Sequence, residues 1–483
     1  MRALGGRSVS RRPLLLHPER LFPPDPTTRG LATELYNEVR SLPLVSPHGH
    51  TDPRWFADNL AFADPVSLLI TPDHYLTRML YSQGIALEEL GVVPTDGAPV
   101  APSRTAWRTF ATHYHLFRAT PSGLWFDHVL AEVFGVRFRL DVETADEIYD
   151  QVADALGRPE YLPQALLDGF GIELLATTDS PLDDLDAHTR LARDGLGGRI
   201  IPTFRPDPVV DPTFEGFSDN VDRLGELTGD DTGRWAGYLD ALNNRREFFI
   251  RHGAVASDHG HPTATTANLS ARDCQRLLDG ARSGTLTADE QELFRGQLLV
   301  EMARMSIDDA MVMQLHPGSR RNHNALLYER FGRDQGADIP GPIEYTQSLK
   351  ALLDLVGNDS RLRLILFTLD ETTFSRELAP LAGHYPSLLL GPPWWFLDSY
   401  EAMLRYRRTV TETAGFANTA GFNDDTRALL SIPARHDVAR RVDSIYLAEL
   451  VSTHRLDLED ARELAVDLAT RLARRAYRLD DDR

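Results

Sequence analysis

The chain has 483 residues, 42% apolar and 25% charged, the composition of a large globular protein. Its formal net charge of −20, from 51 basic and 71 acidic residues, disfavours nucleic acid and anionic membranes as partners, which need a basic face. The single cysteine, Cys274, excludes an intrachain disulfide and a four-cysteine zinc site, fits a reducing cytoplasmic compartment, and leaves His and carboxylates as the available metal ligands.

The N-terminus, MRALGGRSVSRRPLLLHPERLFPPDP, places arginines around a leucine run too short for a signal-peptide core. No segment approaches the roughly 18 apolar residues of a membrane span. Residues 1–40 are expected to form a surface arm whose first ten residues are mobile.

Eight short apolar runs follow: LPLVS (42–46), IELLATT (172–178), RIIPTF (199–204), GAVAS (253–257), AMVMQL (310–315), LRLILFTL (362–369), SLLLG (387–391) and FANTAGF (416–422). Most are Leu-rich or β-branched without alternation, the pattern of strands buried on both faces in a parallel sheet. Helix-like sequence separates most of them, as in LDDLDAHTRLARDGL (182–196). No Gly-rich phosphate fingerprint is present, so a (β/α)8 TIM-type barrel over 41–433 is preferred to an open doubly wound sheet. The stretch from 47 to 171 contains no convincing strand. Its aromatic-rich patterns, DHYLTRML, TAWRTFATHYHLF and GLWFDHVLAEVFGV, predict an inserted helical subdomain at about 54–170, after strand one, roofing the barrel's C-terminal face. Residues 434–483 are expected to be a C-terminal helical extension. Within it Leu464, Leu468 and Leu472 recur every four residues over 456–479, Asp457 is a plausible N-cap, and the DDDR end is solvated.

Barrel chemistry sits where strands end. Run one ends in HGH (48–50). His48 and His50 lie two apart, so in a regular strand both point to one side and can reach one ion, most simply zinc. His259, His316 and Asp425 fall at the ends of the fourth, fifth and eighth runs. A His-x-His on strand one, single histidines after two middle strands and an Asp after the last form an amidohydrolase-like arrangement.

With those residues in place, the chain from about 20 to 450 resembles the uronate (glucuronate) isomerase family of the amidohydrolase superfamily. The matches are collinear: HGHT for the family's His-x-His-Leu, Asp73-His74-Tyr75 followed by Arg78, TTDSPLDDL, PTFRPD (202–207), SDHG (257–260), MQLHPGSRRNHN (313–324), WWFLD (394–398), DDTR (424–427) and the pair Arg435-His436. The departures are Pro317 and Ser319 after the strand-five His, Asp424 where the family has Thr, Ser46-Pro47 before the paired histidines, Thr71-Pro72, and Gly391-Pro392-Pro393.

The resemblance implies an aldose–ketose isomerase acting on uronates (glucuronate/fructuronate, galacturonate/tagaturonate) by C2-to-C1 proton transfer through an enediol. That chemistry needs a base, a group that stabilises charge on the oxygens, and a clamp for the carboxylate. Asp425 is expected to be both metal ligand and proton-transfer group, with a helix N-cap as its alternative role. Arg427 is assigned to the enediolate, and Tyr75 to proton exchange with a sugar hydroxyl. His74 and Arg205 are candidates for the substrate carboxylate, Arg205 having a structural pair with Asp207 or Asp179 as its alternative. His316 is open between metal and a sugar oxygen. His259 is a further metal candidate or simply bonds a neighbouring strand. Trp394 is a candidate wall for the sugar face, with core or subunit contact as its alternative and Trp395 beside it. The expected cofactor is a divalent metal, zinc by preference, and the tryptophan-rich segments suggest a homo-oligomer. The principal rival is a metal-dependent hydrolase of an amide or lactone on the same ligands. One common form of it uses a carboxylated Lys after strand four, whereas Lys350 is the chain's only lysine and lies in a predicted helix.

Overall fold

A computed structural model describes residues 11–480. The first ten residues, expected to be mobile, and the last three of the DDDR terminus lie outside the described residues. Seven of the eight apolar runs form strands: β1 (Leu44–Ser46), β2 (Ile172–Ala176), β3 (Ile200–Ile201), β4 (Ala256–His259), β5 (Val312–Leu315), β8 (Leu364–Leu366) and β9 (Leu388–Leu390). Between β5 and β8, a two-residue hairpin of β6 (Ser319–Arg320) and β7 (Ile339–Pro340) intervenes. The hairpin was not anticipated, because its strands are too short to carry a periodicity.

The pairings among these seven strands are all parallel, and each run lies beside the next in the chain, giving sheets β1-β2-β3 and β4-β5-β8-β9. Phe204 bridges Asp179 on one side and Ser257 on the other, linking the two sheets, while Thr419 of the eighth run bridges Leu390. The result is a mixed α/β fold with parallel sheets. Its strands are buried on both faces, which is why they read as unbroken apolar runs.

Between β1 and β2 the chain is helical. Aspartates start three of these helices: Asp52, Asp64 and Asp73 each accept a backbone N–H one turn in, and proline follows the first two. This segment has its own core of Trp107, Phe110, Phe117 and Phe126. Near the N-terminus, helix Pro26–Val39 buries Ala32, Leu35 and Val39 against helix Ile432–Ser452. The tail is not one continuous helix. It runs from Leu458 to Val466, widens by a π-turn at Asp467–Arg471 and resumes over Leu472–Ala476, and Asp457 makes no side-chain cap bond. No helix among the described residues is long and apolar enough to cross a membrane.

Candidate functional site

The carboxyl ends of the strands open onto a cavity of ≈ 360 Å³ whose wall includes His48, His50, His316 and Asp425. His48 and His50 leave β1, and the backbone N–H of His50 donates to the Thr426 carbonyl at 3.0 Å, which ties them to the segment carrying Asp425. Asp425 sits at φ 40°, in the left-handed region that a short polar side chain tolerates at some cost. Such a position turns its carboxylate back over the histidines. It is not a helix N-cap, since the next helical turn starts only at Leu429.

Asp425 Oδ1 lies 3.4 Å from His48 Nε2 and 3.0 Å from His50 Nε2. Ligand atoms of His48, His316 and Asp425 all lie within 4.8 Å of one another. Burial alone would raise the Asp425 carboxyl, but the charge and hydrogen bonds of His48, followed by those of His50, outweigh it and hold Asp425 well below the carboxylate range. His316 stacks between the rings of His48 (4.8 Å) and Phe367 (3.8 Å). Its Nδ1 is 2.6 Å from Asp258 Oδ1, and its Nε2 is buried with no hydrogen-bond partner. Burial pushes this ring down, keeping it neutral. A neutral imidazole fixed at Nδ1 by a carboxylate and left with an unpartnered Nε2 is the donor a divalent cation requires. The residues present therefore fit a metal, with His50 adjoining the group through Asp425.

The register explains why Asp258 belongs to this site and His259 does not. Asp258 pairs with Gln314 and His259 with Leu315, so Asp258 shares the inward face with Gln314 and His316. His259 points the other way, within 3.2 Å of Ser257 Oγ, and lies outside the metal-capable group. Ser257 belongs to the same strand as His259, so this contact is not the bond to a neighbouring strand given as the alternative role.

Arg205 is held by two carboxylates, Asp258 at 2.6 Å and Asp207 at 2.8 Å. Burial would lower its pKa, but these two charges keep it firmly charged. One of the structural partners foreseen, Asp207, is thus present; Asp179 instead accepts from Thr177. His74 and Tyr75 open helix His74–Tyr81 and reach the cavity from the inserted segment. Burial first, then the Arg427 charge, drives His74 down to about 3, so it is a neutral donor or acceptor. Burial holds Tyr75 protonated. Arg427 pairs with Asp334 at 3.1 Å and lies 3.5 Å from His74 Nε2. Trp394 stands edge-on to His316 at 4.8 Å while also belonging to the core between the strands, and Trp395 packs on Tyr75. Asp424, at the family's Thr position, is buried 3.1 Å from His436 Nε2.

Sequence reasoning missed Asp258, and also Arg321, Arg333 and Asp334, which reach the wall through the β6–β7 connection. Strand alternation was the available signal for Asp258; Arg321 lies within the MQLHPGSRRNHN match, where it was given no role, and nothing in the loop sequence singled out Arg333 and Asp334.

The sequence model of the glucuronate isomerase family matches residues 27–475. A uronate isomerase of Rhizorhabdus wittichii is 61% identical over 97% of this chain and 99% of its own length. The crystal structure of glucuronate isomerase from Caulobacter crescentus superposes with a TM-score of 0.96 at 54% identity, covering 98% of each chain. A uronate isomerase from Thermotoga maritima gives 0.89 at 29% identity, covering 96% of this chain and 99% of that one.

Proposed function

From the premise that this chain belongs to the glucuronate isomerase family and is a uronate aldose–ketose isomerase, we propose how the cavity performs that reaction. The observation that carries the proposal is the convergence of His48, His316 and Asp425 in a cavity whose wall also carries Arg205, Arg321, Arg333 and Arg427 among several aspartates. His48, His50, His316 and Asp425 would hold the ion, zinc by ligand type. When bound, such an ion supplies Lewis acidity toward neighbouring sugar oxygens.

The chain's own groups do the rest. Asp425 is kept ionised by its histidines and takes the C2 proton, returning it at C1. Arg427 stands beside His74 and stabilises charge on the enediolate oxygens. Tyr75, kept protonated, exchanges a proton with a sugar hydroxyl. Arg205 already has Nε and Nη1 committed, so it serves the substrate carboxylate as a fixed positive charge, with neutral His74 as a hydrogen-bonding partner. Trp394 walls the sugar face.

The parallel sheets, the Phe204 bridges and the His50–Thr426 bond support reading the strands as an eight-stave barrel over 41–433 closed between its first and eighth runs. In that reading 54–170 is its roof, residues 1–40 are the leading arm and 434–483 are the trailing helices. A cytoplasmic homo-oligomer is proposed on the single buried cysteine and on the exposed Leu15 and Val142. The hydrolase alternative is not favoured, given 61% identity to a uronate isomerase.

Incubation with glucuronate and with galacturonate in deuterated water tests the route. Ketose product carrying deuterium at C1 is expected wherever the Asp425 carboxyl exchanges with solvent before it returns its proton; no turnover of any uronate would overturn the reading.

A further inference from the structure

The foot of the strand interior is closed by the C-terminal tail. Tyr477, fully buried, packs with Ala256, Val312, Ile365 and Ala420 inside the strands. The tail is held there by design of the backbone: a Cβ at Gly421, itself at φ 75°, would lie 2.7 Å from Ala473 N, so only glycine lets the eighth run approach the tail so closely. Arg474 bonds to Glu173, and Arg478 Nη1 donates to the Ala310 carbonyl at 3.0 Å.

From this position the Tyr477 hydroxyl donates to Gln314 Oε1 at 2.7 Å and accepts from Asn423 Nδ2 at 3.2 Å. Gln314 Nε2 in turn lies 3.4 Å from His48 Nδ1. A continuous chain of polar atoms thus runs from the tail to the first histidine of the site. With the amide turned this way, a neutral His48 accepts from Gln314 Nε2 at Nδ1 and carries its proton on Nε2, facing Asp425.

That polarity is wrong for a bound cation. An imidazole that ligates through Nε2 must carry its proton on Nδ1 and needs an acceptor there. Gln314 can supply one by turning its amide, which presents Oε1 to His48 and the NH2 group to Tyr477. Tyr477 must then accept from Gln314 and find an acceptor for its own proton. Asn423 offers one when its amide turns as well: Nδ2 now faces the hydroxyl, and Oδ1 is buried with no hydrogen-bond partner. The hydroxyl reverses from donor to acceptor by rotating its O–H, as the amide does by turning and the imidazole by changing tautomer, all without a change of charge.

We propose that Tyr477 and Gln314 are positioning residues, forming a reversible hydrogen-bond relay that fixes the His48 tautomer according to whether the site holds a cation. The proposal rests on the metal-site reading above. Partners of this kind are worth about 10–100-fold in metal affinity.

The test uses the full chain and zinc alone, measuring its dissociation constant by competition with a chromophoric chelator and the thermal midpoint with and without zinc. Tyr477→Phe keeps the ring and should bind zinc about tenfold or more weakly; its midpoint should fall without zinc, where the hydroxyl's bonds to Gln314 and Asn423 are lost, and fall further with zinc. Gln314→Glu places a permanent acceptor at His48 Nδ1. It should bind zinc at least as tightly as wild type, and should restore affinity in the Tyr477→Phe background. A Tyr477→Phe affinity within twofold of wild type would overturn the relay, as would midpoints that fall equally with and without zinc. Should Tyr477→Phe fail to fold, weaker zinc binding by Gln314→Glu alone would overturn it. A wild-type chain that binds no zinc removes the metal-site reading and the relay together. Wild-type binding with unaffected variants removes only the relay.

Discussion

The strand-end rim and the inserted helical segment are both buried, but for opposite energetic reasons. The segment buries Trp107, Phe110, Phe117 and Phe126 in mutual contact, with Phe110 and Phe126 rings 5.0 Å apart. Removing each such side chain from water contributes roughly 1.5–3 kcal/mol. The rim buries Asp258 and His48 and half-buries Arg205 and Asp425, and desolvating them costs free energy that their pairing offsets in part. The first region makes the molecule stable. The second is kept at the expense of stability because its charges are needed in a dry place. Variants should therefore separate: rim changes lose activity without unfolding, and segment changes unfold without a specific loss of activity.

The largest separation is expected at Asp425. Asp425→Asn removes the proton-transfer group and should lower kcat by about 10²–10⁴-fold. The chain should still fold, but its thermal midpoint should fall, since the anion that His48 and His50 stabilise is gone. Activity above a tenth of wild type would break the distinction at its strongest point. In the segment, Trp107→Ala empties a large site and strands the Ala145 carbonyl, which accepts from the indole at 2.8 Å. It should cost about 3–5 kcal/mol of stability. Below the lowered midpoint, kcat/KM should be near wild type; a fall in kcat of the still-folded enzyme would show that the segment acts in the chemistry beyond His74 and Tyr75.

Arg435 lies on the boundary and sharpens the comparison. It is buried, pairs with Asp398, and covers the Trp125 ring of the segment at 3.7 Å and the Tyr75 ring of the site at 5.1 Å. Arg435→Met leaves Asp398 buried and uncompensated, at a cost of about 3 kcal/mol or more. Because the same guanidinium positions Tyr75, kcat should fall as well. Arg435→Met with Asp398→Leu should recover much of the stability and none of the kcat. Recovery of both would make Arg435 a purely structural group.

The same division decides what could be read from the sequence. Strands buried on both faces announce themselves as apolar runs, so seven of eight were strands, and the eighth still lies beside its neighbour through Thr419. Rim residues one step beyond a strand end were legible by type: His48, His50, His316 and Asp425 converge. Where type and alternation conflicted, type misled. His259, a metal candidate by type, lies outside the metal-capable group, while its neighbour Asp258, on the inward face, holds both His316 and Arg205. Arg321, Arg333 and Asp334 depend on the path of an irregular connection, and Tyr477 on a tail that folds back to the foot of the strands. Neither leaves a local pattern, because both are fixed by packing between residues far apart in the chain.

The smallest effect, and the most direct sight of what the rim costs, should come from Asp179 in the cavity wall. Burial raises its carboxyl to about 7 against the partial relief of the Thr177 hydroxyl, 2.7 Å away. An unfolded chain releases this proton near pH 4. Between about 4 and about 7 the folded chain thus holds a proton the unfolded chain has lost, and stability falls as pH rises through that window. Asp179→Asn keeps an acceptor for Thr177 and has no proton to lose. Its midpoint should match or trail wild type near pH 4, gain on it steadily up to about 7, and hold a constant lead above that. A lead that instead grows as pH falls would mean that Asp179 is stabilised as an anion, and that this part of the rim is not a cost.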